Sequence, residues 1–146
     1  RQQNLYLLGQ TRSVYTPQVV VGGNEWRGIF LGKTKAPQSS KEVGVLTLST
    51  EGENFSATFP NHQNTPLTLH IAWLDMGIEQ SINRGENHGR TLRHEFVVKN
   101  AAEFHSQNGE WSGILPSGKS SAEALAAWVT LKNGERPIQA LGGFLE

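Results

Sequence analysis

The sequence predicts a mainly β protein: a β-sandwich-like domain over residues 43–146, a linker at 33–42, and a short helix with strands in residues 1–32. Three observations predict it. From Val43 onward apolar residues recur with a period of two, as half-buried strands require. Turn-forming clusters such as Thr50-Glu51-Gly52-Glu53 and Lys132-Asn133-Gly134-Glu135 separate these runs. Before them, an X-Pro step at Thr16-Pro17 leads a β-branched run, Val19-Val20-Val21, closed by Gly22-Gly23, which is a turn feeding a buried strand.

The elements follow in order. Leu5 and Leu8 share one face of a short helix that Gly9 ends. The turn at Thr16-Pro17 leads to a strand at 19–21, and Gly22-Gly23-Asn24 allows a hairpin return through Trp26, Ile29 and Phe30. Lys33 to Lys41, with Pro37, Ser39 and Ser40, has linker composition. Strands are then expected at 45–49 and 54–59, with Phe55, Ala57 and Phe59 on one face, and next a strand with Leu67, Leu69, Ile71 and Trp73 on one face. Further runs lie at 78–82, 92–98, 127–131 and 137–141; about seven short strands with short turns are the pattern of a β-sandwich. Ser120-Ser121-Ala122-Glu123 also fits a capping box, so one short helical turn through Ala127 stands as the alternative there.

The chain's 146 residues are one domain's worth, and 36% hydrophobic content suits a folded core. Thirteen basic residues balance thirteen acidic ones, which disfavours a nucleic-acid partner. No apolar run approaches the roughly 18 residues of a spanning helix, so membrane insertion is not expected. The absence of cysteine removes disulfides, thiolate metal sites and thiol nucleophiles. Arg1 is neither an initiator methionine nor part of a secretion signal, so the chain reads as a portion of a longer protein.

Arg1-Gln2 and Tyr6, the run Arg12-Ser13-Val14-Tyr15-Thr16-Pro17-Gln18-Val19-Val20-Val21, and Arg84-Gly85-Glu86-Asn87-His88-Gly89-Arg90-Thr91-Leu92 with Val97-Val98 downstream carry a resemblance. Up to about Val98 the chain resembles an uncharacterised family of bacterial exported thioredoxin-like proteins, in which a half with a Cys-x-x-Cys-type site precedes a β-rich half. The resemblance implies that residues 1–32 are the last helix and strands of a thioredoxin-like fold, and that the protein is periplasmic or extracellular. It also makes Thr16-Pro17 the step that is usually cis and lies against the redox cysteines; the plain reading is a rigid turn setting the entry of a strand. On this view the chain is a non-catalytic C-terminal portion that completes the thioredoxin sheet and presents a binding surface. Its partners are an upstream thioredoxin-like half or another protein, with homodimerisation through the N-terminal segment, and no cofactor. An independent β-sandwich module for peptide or glycan, and part of a thiol-disulfide oxidoreductase with cysteines upstream, are the alternatives.

The densest polar cluster is Asn83 to Arg90. Arg84, Glu86, Asn87, His88 and Arg90 between glycines suit a ligand or partner loop, because guanidinium groups make forked hydrogen bonds to carboxylates and other anions. The structural alternative pairs Glu86 with Arg84 or Arg90 across a solvated turn. None of His62, His70, His88, His94 and His105 has metal-site spacing. His70, sharing a face with Thr68, should point to solvent, and His94, alternating with Leu92 and Phe96, is expected as a hydrogen-bonded inner histidine. Neither Gly-x-Ser-x-Gly nor Gly-x-Gly-x-x-Gly is present, and turn chemistry explains the pairs Glu51/Glu53 and Asp75/Glu79. The four tryptophans, Trp26, Trp73, Trp111 and Trp128, are candidate sugar-stacking platforms; the pattern puts Trp73 in the core, and Trp111 is expected either as an exposed aromatic or packed beneath its loop.

Overall fold

The computed structural model describes residues 2–15, 18–38, 42–60 and 64–145. A helix α1 (Gln2–Leu7) precedes a small hairpin of β1 (Val20–Val21) and β2 (Asn24–Glu25). Nine strands follow: β3 (Thr47–Glu51), β4 (Asn54–Thr58), β5 (Leu67–Asp75), β6 (Ile78–Ser81), β7 (Thr91–His94), β8 (Val97–Ser106), β9 (Glu110–Ile114), β10 (Ala124–Leu131) and β11 (Pro137–Phe144). Two antiparallel sheets carry the core, one in the order β11-β10-β5-β8 and one in the order β3-β4-β9. The mainly β expectation holds.

Alternation builds that core. Phe55, Ala57 and Phe59 are buried on one side, as are Leu67, Leu69, Ile71 and Trp73 of β5, and both sets join Leu125, Ala127 and Val129 of β10 in one cluster. Each large apolar side chain enclosed this way contributes on the order of 1.5–3 kcal/mol. The Trp73 indole N–H is also satisfied, donating to the Pro116 carbonyl at 2.6 Å. Glycine is required at Gly109, where φ is +76° and a Cβ would collide with the Phe59 carbonyl.

Three regions differ from the sequence reading. Trp111 lies on β9, a strand the turn-like composition of residues 108–113 concealed, and it is 6% exposed within the core. Residues 119–121 form a single 3₁₀ turn with no side-chain cap, and β10 begins at Ala124, so the capping-box pattern yields no helix through Ala127. The run at 92–98 is two strands, because Phe96 takes a left-handed φ of +55° and separates β7 from β8.

In the N-terminal segment Gly9 ends α1 as expected. Its φ is +69°, and the Gln10 and Gly9 N–H groups reach back to the Leu5 and Tyr6 carbonyls, a Schellman closure. Gly22 and Gly23, both at positive φ, make the two-residue turn between β1 and β2. The return strand is shorter than expected, since Ile29 and Phe30 sit in a 3₁₀ turn (Gly28–Leu31). Thr16 and Pro17 lie outside the described residues, but their flanks are tied down. The Glu25 carboxylate accepts from the Tyr15 hydroxyl at 2.7 Å and the Arg12 N–H at 3.1 Å, and pairs with Arg27 at 3.1 Å. These partners, the Tyr15 hydroxyl first, hold the Glu25 carboxyl below the usual carboxylate range. The segment touches the sandwich where Asn4 donates to Glu135 at 3.2 Å and where Gly23 lies against Arg136.

Candidate functional site

Period two gives each strand of the four-stranded sheet a second face, and on that face lies a polar groove. The apolar face of β5 takes the odd positions, so Thr68 and His70 fall on the other. The registers then decide their neighbours: His105 lies opposite Thr68, and Glu103 and Trp128 lie opposite His70 on either side. His70 Nδ1 meets Glu103 at 3.2 Å and its Nε2 meets the Thr130 hydroxyl at 3.0 Å, while the Thr68 hydroxyl meets His105 Nδ1 at 3.0 Å. The Trp128 ring stacks on His70, with centroids 4.9 Å apart and planes within 2°. These six side chains, with Asn4, Asn133 and Glu135 along the rim, surround a cavity of about 350 Å³.

Carboxylate, imidazole and hydroxyl stand in the order of an acid–base–nucleophile chain. Two features argue against that chemistry here. The Thr130 hydroxyl belongs to a residue 2% exposed, out of reach of a scissile bond. Its backbone also lies in the middle strands of a sheet, whose N–H groups are committed to ladder bonds rather than to an oxyanion. The arrangement holds two imidazoles in fixed orientation and leaves a concave surface, which suits binding.

The predicted loop sits elsewhere. Beyond β5 and β8 the chain continues as an arm of β6 paired with β7, and residues 83–90 form its exposed tip. The kink at the arm's base is held by Glu95, which accepts from the Gly77 N–H at 2.7 Å and from Arg93 Nε at 2.8 Å. Close by, Lys99 donates to Asp75 at 3.0 Å, which holds the Asp75 carboxyl below its usual range. In the tip the Arg90 guanidinium is 3.4 Å from the Asn87 side-chain oxygen, and among the described residues no ion pair joins Glu86 to Arg84 or Arg90. Arg84, Glu86, Asn87, His88 and Arg90 thus share one solvated loop, and none of them lines the groove.

No group of three metal-ligating side chains exists among the described residues, and His62 lies outside them. His70 shares the face expected for it but is half-enclosed by its neighbours, and the half-exposed His94 has a buried Nε2 without a hydrogen-bond partner. Sequence reasoning missed Glu103 and Thr130, and had Trp128 only as one of four candidate sugar-stacking tryptophans. A signal existed, since Thr68-x-His70, Glu103-x-His105 and Trp128-x-Thr130 each repeat at the strand period.

Residues 1–132 match the family described as a protein of unknown function, DUF1223. The chain belongs to this family. The DUF1223 match runs past Val98, where the sequence resemblance was expected to weaken, and takes in every groove residue up to Thr130. No curated protein and no solved structure matches the chain.

Proposed function

We propose that this DUF1223 chain is the non-catalytic, partner-binding portion of an exported thioredoxin-like protein. In this reading residues 2–32 complete the sheet of a cysteine-bearing thioredoxin-like half, and the 83–90 tip presents Arg84, His88 and Arg90 to carboxylates of a protein partner. One observation carries the reading: Tyr6, Leu7, Leu8, Ile29, Phe30 and Leu31 are all at least half exposed within 26 residues of chain, an apolar surface that calls for a cover. Leu5 is not part of that surface, being 2% exposed. Intact mass of the protein isolated from its native host, before and after reduction and thiol alkylation, tests the proposal. A species heavier than 16.1 kDa that takes up two alkyl groups is expected; a native mass of 16.1 kDa with no uptake would overturn it.

A further inference from the structure

We infer that the groove on the outer face of the four-stranded sheet binds a neutral, hydroxyl-rich ligand of the size of a mono- or disaccharide. The inference is independent of the docking role, because it concerns a different face of the protein.

The size of the ligand follows from the cavity, whose volume of about 350 Å³ sits at the lower end of the roughly 300–1,000 Å³ typical of small-molecule sites. Its chemistry follows from the lining. Among the described residues no lysine or arginine borders the groove, so phosphates and carboxylates find no countercharge from them. Asparagine amides donate and accept, the His105 imidazole offers its Nε2, and carboxylates accept; hydroxyl groups, which both donate and accept, match this mixture. Two of these functions are uncommitted. Glu103 gives one oxygen to His70 and its side chain is 63% exposed, and His105 gives Nδ1 to Thr68 and makes no hydrogen bond through Nε2 among the described residues.

Preorganisation supports the same conclusion. Thr68 and Thr130, at 3% and 2% exposure, anchor the two imidazoles from below, so a ligand meets them already oriented. The stacked Trp128–His70 pair supplies a flat, weakly polar element beside the polar rim. A sugar ring presents C–H groups on its faces and hydroxyls at its edge, which complements that pairing of surfaces. The rim also joins two parts of the chain, since Asn4 of α1 reaches Glu135 across it.

The test is a titration of the ¹⁵N-labelled chain with maltose, cellobiose and N,N′-diacetylchitobiose, read by amide chemical shifts, with spermidine and inorganic phosphate as controls. At least one of the three sugars is expected to give saturable shifts centred on residues 68, 70, 103, 105, 128 and 130. Glu103→Gln, which preserves shape and changes one hydrogen-bonding edge, should weaken that binding by about tenfold, and Trp128→Phe should weaken it further while the spectrum stays dispersed. Absence of saturable shifts with all three sugars overturns the inference. So does saturation by spermidine or phosphate alone, which would mark a charged ligand, and so does sugar binding that neither variant weakens.

Discussion

In the two-sheet region a cluster that includes Trp73 and Phe59, both at 0% exposure, is enclosed even though Phe144 and Ile114 at its margins stand in solvent, whereas in residues 2–32 Leu5 is the one buried apolar side chain among the described residues, and Leu7 and Phe30 are 80% and 56% exposed. The two regions also hold together differently. The sandwich rests on two sheets whose inward faces interlock, a non-directional force proportional to buried area. The N-terminal segment has two-residue strands and a six-residue helix, too short to bury much, and depends on directed contacts centred on the Glu25 carboxylate. One part of the chain is thus held by a shared apolar core and the other by a few polar bonds.

The sharpest way to break this contrast is Trp73→Ala. It should destabilise the sandwich by about 3–5 kcal/mol, through lost burial and the cavity left behind, seen as a lower denaturant midpoint. Gly109→Ala comes next, at about 1–3 kcal/mol, because a side chain is forced into left-handed backbone against the Phe59 carbonyl. Acid should act on the other region. The Glu25 carboxyl is lowered in the folded chain, so its contribution is complete above the unfolded value and is lost as pH falls through the folded one, below the usual carboxylate range. Hydrogen exchange should show residues 10–15 and 24–27 opening in acid before β5 and β10 do, and Glu25→Gln should remove that pH dependence; simultaneous opening of both regions would erase the distinction. The smallest effect is expected of Leu8→Ser and Phe30→Ser, each within about 0.5 kcal/mol in thermal melts of the isolated chain. A larger loss would mean that this surface is already covered within the protein.

The strongly alternating parts of the fold were legible in the sequence. Phe55/Ala57/Phe59 and Leu67/Leu69/Ile71/Trp73 declare their buried faces because each strand has one side in the core. β9 did not declare itself, since Gly113 occupies an inward position where an apolar residue would have completed the pattern. It does so for lack of room, as a Cβ there would press on the edge-packed rings of Phe55 and Phe104, whose centroids are 4.6 Å apart. The start of β10 was ambiguous because Ser-x-x-Glu is a local signal, and the pairing of Ala124 with Leu74 on β5, fifty residues away, prevails over it. The candidate site was the least legible. Loop 83–90 is visible as a run of neighbouring polar residues, but the groove exists only once three strands of distant sequence are set in register.

That register gives the His70 contacts a meaning for folding. β5 is flanked by β8 and β10, and the two ring nitrogens of His70 each find their partner on a different one of these neighbours. A slip of either neighbour by one residue would turn Glu103 or Thr130 inward beside Leu69 and Ile71 of β5, where its polar atoms have nothing to bond. The same imidazole that furnishes the groove thus discriminates the native alignment of three strands from its nearest mispaired competitors.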